Sequence, residues 1–334
     1  MALTGEDLRH LDRCLELAER GRRTAAPNPV VGAVVVRDGR VLGEGWHDRP
    51  GGMHAETAAL RAAGDAAGAT VYVSLEPCSH HGRTPPCADA LIDAGVARVV
   101  AAMIDPTDKV DGAGVARLEA AGVAVDVAGG DVERRVRRAN AGWLTLALCG
   151  RPHVTYKAAV SLDGRTATTA GESQWISSPE SRRLVHEWRA CAGAVAVGSG
   201  TAIHDQPQLT ARDVDPPAER QPLRVVFDRG GRIDPAAWDG VVARGDAGEE
   251  LAALAARGVT SVLVEGGATL AAGLLEAGLI DRVALFVAPL VLGDGPGPFA
   301  GRAVGSLAEA PAAVHLEARL VGPDILLLAE LREV

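Results

Sequence analysis

Hydrophobic residues in the first part of the chain recur with two periods, one typical of helices and the other of strands. Residues 4–18 repeat leucine at helical spacing, and Thr4 is placed to cap that helix. Residues 30–36 form a β-branched run, which Asp38-Gly39 follows as a hairpin turn. This alternation predicts an α/β domain with a mixed sheet. Further helices are predicted at residues 54–63, 88–94, 114–121 and 131–148, and further strands at residues 69–75, 98–103 and 123–127.

A second series of strands and helices begins after Gly150-Arg151-Pro152, a turn-forming sequence that interrupts the pattern. A chain of 334 residues is also long enough for two domains of about 150 residues each. We therefore expect one domain at residues 1–149 and a second at residues 150–334. In the second domain the pattern predicts strands at residues 153–160, 193–197, 223–227, 261–264, 283–287 and 325–330, helices at 178–191, 249–257 and 268–277, and a loop at 212–220.

Composition and charge exclude several classes of protein. The apolar fraction of 47% is that of an ordinary globular protein and argues against disorder. The net charge of −9 argues against a nucleic acid partner, because proteins that bind the phosphate backbone are usually basic. The sequence has neither an apolar run long enough to span a membrane nor an apolar N-terminal leader. It therefore predicts a cytoplasmic protein without a membrane partner.

Five cysteines in a chain without an export signal favour a thiolate site over a disulfide framework. Cys14, Cys149 and Cys191 occupy apolar positions of predicted helices, and we predict that they are core thiols. The other two, Cys78 and Cys87, are the candidates for the thiolate site.

One histidine and these two cysteines form the sharpest chemical pattern in the first half. His54-Ala55-Glu56 precedes Glu76-Pro77-Cys78, and Cys87 follows. One imidazole and two thiolates suit zinc and leave a fourth position open for a water, whose pKa the metal lowers to about 7. At a helix start, the spacing of His54 and Glu56 places the carboxylate beside that water, where it can pass a proton to a leaving amine. This pattern is typical of zinc deaminases that act on bases.

The spacing of the cysteines leaves an alternative open at this point. Eight residues separate Cys78 from Cys87, whereas the general deaminase pattern has two. A structural zinc site closed by His80 or His81 as a fourth ligand would use the same two cysteines. A closed site, however, gives no reason for a glutamate at position 56.

Three motifs in the first half resemble a single enzyme family. Residues 27–32 read Pro-Asn-Pro-Val-Val-Gly, residues 54–56 read His-Ala-Glu, and residues 76–87 carry both cysteines on a long loop that is typical of that family. They resemble the bifunctional pyrimidine deaminase/reductase family of riboflavin biosynthesis. The resemblance implies a cytidine-deaminase-like, three-layer α/β/α domain that binds Zn2+. Its implied site residues are the zinc ligands His54, Cys78 and Cys87, the proton shuttle Glu56 and the pyrimidine contact Asn28.

One motif of the family differs here. The family often has an asparagine between two prolines after the next strand, and this chain has Thr107 at that position, after Pro106. One implied substrate contact is therefore missing from the sequence.

A lysine and two glycine-rich turns are the candidate site features of the second half. Lys157 is one of only two lysines and lies inside an apolar strand, so we expect it to meet a polar cleft; a strand-end lysine that reaches solvent is the alternative. Residues 197–201 begin like a dinucleotide fingerprint, but Ile203 replaces its third glycine. Glu265-Gly266-Gly267 opens a predicted helix, where backbone N–H groups can approach a phosphate. These residues alone indicate only a domain that binds an anionic ligand.

Polar segments at residues 161–165, 171–175, 205–212 and 264–267 resemble the reductase domain of the same family. The resemblance implies an α/β domain similar to dihydrofolate reductase that uses NADPH without a Rossmann fingerprint. Two arginines suit the substrate's sugar phosphate, because a guanidinium binds phosphate through two hydrogen bonds. The implied substrate contacts are Ser173, Arg189, Leu209, Arg212 and Glu265. The implied NADPH contacts are Ala159, Trp175, Thr201, Asp205, Gly267, Ala268, Thr269, Leu270, Ala271, Ala272 and Gly273.

Taken together with the family resemblance, the motifs imply an enzyme with two activities. The expected reactions are zinc-dependent deamination of 2,5-diamino-6-ribosylamino-4(3H)-pyrimidinone 5′-phosphate and NADPH-dependent reduction of the ribosyl to a ribityl chain, giving 5-amino-6-ribitylaminouracil 5′-phosphate. We expect Lys157 to position or polarise the sugar in the second reaction. The alternatives are a nucleoside or tRNA-base deaminase with an unrelated C-terminal binding domain, and a non-catalytic, zinc-stabilised protein that senses a nucleotide. The oligomeric state stays open, with a homo-oligomer among the options.

Overall fold

A computed structural model describes residues 3–79, 85–107, 110–301 and 304–333 of the chain. The chain divides into two compact units, Met1–Leu148 and Cys149–Val334. Each unit combines one β-sheet with several helices, so the predicted α/β class is confirmed.

A five-stranded sheet forms the centre of the first unit. Its strands are β1 (Gly32–Arg37), β2 (Arg40–Trp46), β3 (Thr70–Val73), β4 (Arg98–Ala101) and β5 (Ala124–Val127). They lie in the order β2-β1-β3-β4-β5, with β1 antiparallel to both neighbours and β3, β4 and β5 parallel. The helices are α1 (Gly5–Glu19), α2 (Ala55–Ala63), α3 (Cys87–Asp93), α4 (Ala113–Ala120), α5 (Gly130–Ala139) and α6 (Ala141–Cys149).

Two short-range signals begin this unit as the sequence predicts. The Thr4 hydroxyl accepts a hydrogen bond from the Asp7 N–H, and the Asp7 carboxylate accepts one from the Thr4 N–H, which forms a capping box at α1. Asp38 and Gly39 have φ angles of 51° and 71°, the left-handed conformation that a tight hairpin between β1 and β2 requires. The predicted cap and hairpin are confirmed.

The single helix predicted at residues 131–148 is wrong, because Asn140 divides it into α5 and α6. Asn140 leaves the helical conformation, with φ −105° and ψ 16°. Its side-chain oxygen accepts a hydrogen bond from the Val30 N–H at 2.7 Å, and its side-chain nitrogen donates one to the Val30 carbonyl at 3.1 Å. An asparagine side chain that binds backbone groups competes with helix formation, and here its partner is distant in sequence.

An eight-stranded sheet forms the centre of the second unit. Its strands are β6 (His153–Val160), β7 (Ala194–Gly198), β8 (Leu223–Phe227), β9 (Val241–Ala243), β10 (Ser261–Glu265), β11 (Arg282–Val287), β12 (His315–Val321) and β13 (Asp324–Glu330). They lie in the order β12-β13-β11-β6-β10-β7-β8-β9, and all neighbours are parallel except the pairs made by β13. The helices are α7 (Pro179–Cys191), α8 (Ser199–Asp205), α9 (Ala247–Ala256) and α10 (Ala268–Glu276), and Leu307–Glu309 forms a 3-10 turn.

Burial explains which elements of this unit were predicted. Strands β7 and β10 are buried along most of their length and read as continuous apolar runs, as parallel strands covered on both faces do. Strands β9 and β12 were missed, because β9 has three residues and β12 is exposed along nearly all of its length. The short helix α8 was missed because it begins inside a glycine-rich segment.

The prediction of three core thiols is confirmed only for Cys14, which is buried. Cys191 is half-buried, and Cys149 is exposed at the end of α6, so the prediction is wrong there. Helix α6 is apolar on almost every side, and its sequence therefore does not indicate which face is covered. In the described ranges, no helix combines the length and the apolar composition that a membrane span needs.

A buried carboxylate attaches α1 to the sheet of the first unit. Asp7 is 3% exposed and accepts hydrogen bonds from the Tyr72 hydroxyl at 2.9 Å and the Arg98 guanidinium at 2.7 Å. Burial alone would raise the pKa of the Asp7 carboxyl, but the hydrogen bonds from Arg98, Thr4 and Tyr72 outweigh it and hold that pKa below its ordinary value. The ionised carboxylate is therefore the form that stabilises this unit.

We predict that Asp7→Asn lowers the free energy of unfolding of the first unit by about 2–3 kcal/mol at pH 7, the range for hydrogen bonds to a charged group. Because folding depresses the pKa of Asp7, its contribution is present above the pKa of an unfolded aspartate, about 3.9, and is lost as the pH falls toward the folded value. Urea unfolding should show a difference between the two proteins that shrinks below about pH 4. Asp12→Asn, at an exposed ion pair on the same helix, is the control. A difference that stays constant with pH would contradict this account.

Candidate functional site

Three segments of the first unit bring His54, Cys78 and Cys87 together. His54 is the N-cap of α2, Cys78 lies in the loop after β3, and Cys87 is the first residue of α3. The Nδ1 atom of His54 lies 3.2 Å from the Cys87 sulfur and 3.6 Å from the Cys78 sulfur. All three ligand atoms lie within 4.8 Å of one another, which is close enough for one ion to contact each of them.

The chemistry of this donor set fits Zn2+. One imidazole nitrogen and two sulfurs are ligands that zinc prefers, and a tetrahedral zinc ion separates such atoms by roughly 3.5 Å. Hydrogen bonds from Cys87 and His54 lower the pKa of the Cys78 thiol, which favours the thiolate, the form that binds a cation. The backbone N–H of Cys87 also points at the Cys78 sulfur, 3.4 Å away. The alternative fourth ligands, His80 and His81, lie outside the described residues.

Glu56 lies in the first turn of α2, two residues after His54, and only 4% of it is exposed. Burial raises the pKa of its carboxyl to about 7, so it can both take up and release a proton near neutral pH. It lines a cavity of about 730 Å³, a volume typical of sites for small molecules. The same cavity is lined by His54, Cys78, Asn28 and His47.

Thr107, which stands where the resembling family has an asparagine, also lines this cavity. Its hydroxyl donates a hydrogen bond to the Asp105 carboxylate at 2.6 Å, and its N–H donates another at 2.9 Å. The threonine side chain therefore binds a neighbouring residue and does not replace the missing amide.

A second group of predicted site residues lies around the carboxyl end of β10 in the second unit. Lys157 on β6 and Glu265 on β10 are opposite each other in register, and the lysine Nζ lies 3.8 Å from the glutamate carboxylate. Arg189 on α7 donates two hydrogen bonds to the same carboxylate, at 2.5 and 2.9 Å. Lys157 thus meets a polar cluster and is only 18% exposed, and burial lowers the pKa of its ammonium group. Burial alone would raise the pKa of Glu265, but Arg189 and Lys157 outweigh it and lower that pKa.

The two glycine-rich turns lie side by side, because they follow the neighbouring strands β7 and β10. Gly267 has a φ of 81°, and a Cβ placed on it would lie 3.6 Å from both the Thr201 hydroxyl oxygen and the Gly198 nitrogen. Two of the predicted NADPH contacts, Thr201 and Gly267, are therefore neighbours at the edge of the sheet where open α/β sheets bind ligands.

The other predicted contacts of the second unit have varied surroundings. Trp175 is 67% exposed beneath the Arg182 guanidinium, which lies 4.7 Å from its ring centroid. Three of the predicted contacts are buried in this structure; they are Leu209, Ala271 and Ala272. Those that are half-buried or exposed are Ala159, Ser173, Asp205, Arg212, Ala268, Thr269, Leu270 and Gly273.

Comparison with known proteins matches both halves of the chain. Residues 4–103 match the cytidine and deoxycytidylate deaminase zinc-binding region, and residues 152–327 match the RibD C-terminal domain. Riboflavin biosynthesis protein RibD of Escherichia coli is 42% identical, over 96% of this chain and 98% of that protein. Among solved structures, RibD of Acinetobacter baumannii is 37% identical with a TM-score of 0.87, over 97% of this chain and 98% of that one.

The chain belongs to the RibD family. A Thermotoga maritima structure that is 34% identical, with a TM-score of 0.86 over 97% of this chain and 98% of that one, is described as a diaminohydroxyphosphoribosylaminopyrimidine deaminase/5-amino-6-(5-phosphoribosylamino)uracil reductase.

Membership of the RibD family confirms the predicted fold and function. The first domain is cytidine-deaminase-like and the second is the dihydrofolate-reductase-like RibD C-terminal domain. The chain is therefore a bifunctional deaminase and reductase of riboflavin biosynthesis, and its two domains fit Zn2+ and NADPH as cofactors. Both alternatives are wrong, because the second half is a reductase domain and neither an unrelated binding domain nor a sensor.

Glu76 is a site residue of this RibD-family chain to which the sequence analysis assigned no role. Its buried carboxylate accepts four backbone hydrogen bonds of 2.9–3.1 Å, from Asp105, Gly112, Gly114 and Val115. Gly114 also approaches the cysteine loop so closely that a Cβ on it would lie 1.8 Å from the Pro77 carbonyl oxygen. These contacts hold Glu76 and Pro77 against the start of α4 and so fix the segment that leads into Cys78. The glutamate is visible in the motif, but its partners lie 29 to 39 positions away, and no local signal predicts them.

We predict that Glu76→Gln weakens zinc binding by about tenfold and lowers the free energy of unfolding by about 2–3 kcal/mol. Each carboxylate oxygen of Glu76 accepts two of the four N–H groups. In a glutamine an NH2 group replaces one of these oxygens, so two of the N–H groups would lose their acceptor. Zinc content measured against a competing chelator, together with urea unfolding, checks both effects. Glu119→Gln makes the same charge change on an exposed face of α4 and should match wild type. Wild-type zinc affinity in Glu76→Gln would rule this role out.

Proposed function

We propose that residues 1–149 deaminate C2 of 2,5-diamino-6-ribosylamino-4(3H)-pyrimidinone 5′-phosphate and that residues 150–334 then reduce its ribosyl group. The convergence of His54, Cys78, Cys87 and Glu56 at one cavity carries the first part of this proposal. The name of the Thermotoga maritima relative supports the order of the two steps, because the reductase substrate in that name is already a uracil.

In the deaminase unit, we assign the metal to His54, Cys78 and Cys87. When bound, Zn2+ supplies an acidified water as the nucleophile. Glu56 takes a proton from the attacking water and delivers it to the amino group at C2, so that the C–N bond breaks and ammonia leaves. Asn28, on the wall of the same cavity, binds the pyrimidine ring.

We predict that Glu56→Gln retains one bound zinc but lowers the rate of ammonia release by about 10³-fold, within the range for loss of a general acid–base group. A coupled assay that follows ammonia and NADPH absorbance separately measures both activities. NADPH oxidation with the already deaminated substrate should be unchanged in the variant. A strong chelator should have the same selective effect on the wild-type enzyme, because the one candidate metal cluster among the described residues lies in the first unit. Ammonia release near the wild-type rate would exclude Glu56 as the shuttle.

In the reductase unit, NADPH supplies the hydride when bound, and the sugar ring must open so that C1′ becomes an electrophilic imine carbon. Lys157 presents a positive charge beside Glu265, the last residue of β10, and we assign it to position or polarise the sugar during ring opening. Arg189 already donates to the Glu265 carboxylate and to the Thr210 carbonyl, whereas Arg212 is exposed and donates to the neutral side chains of Gln208 and Thr210. We therefore assign the substrate phosphate to Arg212 first. Ser173 and Leu209 remain proposed substrate contacts at this site.

We predict that Lys157→Met lowers reductase turnover by about 10²-fold or more, because it removes the cation that polarises the sugar. The dissociation constant for NADPH, measured by fluorescence, should change little. Lys157→Arg keeps the positive charge and should retain more turnover than Lys157→Met. Equal turnover in Lys157→Met and wild type would show that the lysine has no part in the reaction.

A further inference from the structure

His47 borders the deaminase cavity and has no part in the function proposed above. It is 4% exposed, and the edge of its ring contacts the ring of His54, with centroids 5.4 Å apart. Its Nδ1 atom lies 3.0 Å from the Met53 carbonyl oxygen, and its Nε2 atom lies 3.0 Å from the side-chain nitrogen of Asn28. Both ring nitrogens are therefore bonded to protein groups.

The Met53 carbonyl determines which nitrogen of His47 carries the proton. A carbonyl oxygen only accepts hydrogen bonds, so Nδ1 must be the donor, and Nε2 of the neutral ring is then an acceptor. The atom of Asn28 that lies against Nε2 is its side-chain nitrogen, and an amide nitrogen only donates, so Nε2 is the acceptor of this pair. Asn28 must consequently direct its NH2 group at His47, because the reverse orientation would set the amide oxygen against a lone pair.

The backbone around Asn28 is held on both sides. The Asn28 N–H donates to the Ala25 carbonyl at 2.9 Å. Two residues further on, Asn140 binds both backbone groups of Val30. The remaining freedom of Asn28 is the rotation of its side-chain amide, and the bond to His47 removes it. Among the described residues, no hydrogen-bond donor contacts the Asn28 amide oxygen.

We propose that His47 is a positioning residue that holds Asn28 with its amide oxygen available to the cavity, so that the site selects a ring that offers an N–H group there. This inference rests on the proposed function, in which Asn28 contacts the pyrimidine. Next to its reacting carbon, the 4(3H)-pyrimidinone ring carries an N–H, whereas cytosine carries a C–H in the corresponding place. An amide that cannot turn its NH2 group inward gains a hydrogen bond from the first ring and none from the second.

Two substitutions of His47 separate this role from a purely structural one. The amide of an asparagine reaches about as far as Nδ1, and that of a glutamine about as far as Nε2. His47→Asn therefore keeps the bond to Met53 and loses the bond to Asn28, whereas His47→Gln does the reverse. We expect His47→Asn to raise KM for deamination about tenfold, which corresponds to the loss of one oriented hydrogen bond to the substrate. Its kcat and its zinc content should stay within about twofold of wild type. His47→Gln should raise KM by no more than about threefold.

A larger rise in KM for His47→Gln than for His47→Asn would overturn the proposal, because it would show that the bond from His47 to Met53 matters more than the bond to Asn28. Zinc content and melting temperature of each variant establish that it is folded before its KM is interpreted.

A double-mutant cycle with Asn28→Ala tests the coupling directly. We expect Asn28→Ala to raise KM about tenfold, and His47→Asn to add less than about twofold in that background, because its target is absent. Fully additive effects would contradict the proposal. If Asn28→Ala raises KM but His47→Asn does not, this inference fails and the proposed role of Asn28 stands. An unchanged KM in Asn28→Ala would overturn both.

Discussion

Four backbone N–H groups converge on the carboxylate of Glu76, and the arrangement of the deaminase site depends on this interaction. An unpaired carboxylate would be costly to bury, but the N–H groups of Asp105, Gly112, Gly114 and Val115 compensate its charge. Glu76 lies two residues before Cys78, so the same bonds determine where one zinc ligand sits. The other ligands come from the starts of α2 and α3. The candidate metal centre thus combines two helix starts with one loop that Glu76 holds in place, and a zinc ion bound there would join the three segments.

The reductase unit positions its polar groups by a different means. The parallel strands β6 and β10 place Lys157 beside Glu265, and α7 contributes Arg189 to the same carboxylate. Two cations surround one carboxylate, which leaves the cluster with a net positive charge where an anionic substrate is expected. The glycine-rich turns follow β7 and β10, which are neighbouring strands, and the backbone of Gly267 lies close to that of Gly198. Substrate and cofactor contacts of this unit can therefore come from neighbouring strand ends without a Rossmann fingerprint.

Much of this architecture could be predicted from the sequence, because buried strands and capped helices leave local patterns. The zinc site was predictable for another reason: an imidazole, a nearby carboxylate and then two thiolates, in that order, are typical of few other kinds of site. The failures involve contacts between distant residues. Asn140 lies in a helical pattern, and only its pairing with Val30 shows that the helix breaks there. The contacts of Glu76 and His47 are with backbone groups and side chains elsewhere in the sequence. Cys149 lies on α6, which is apolar on almost every side, so the sequence does not show that this cysteine is exposed.

The proximity of the ligating sulfurs also affects the stability of the enzyme toward oxidants. Cys78 and Cys87 are held with their sulfurs inside a 4.8 Å cluster, and Cys78 favours the thiolate, the form in which cysteine is oxidised. A coordinated metal occupies the electron pairs that peroxide or a disulfide reagent would attack. Demetallated enzyme should consequently be prone to an internal cystine bridge, which makes reducing conditions a requirement for reconstitution as well as a precaution in storage.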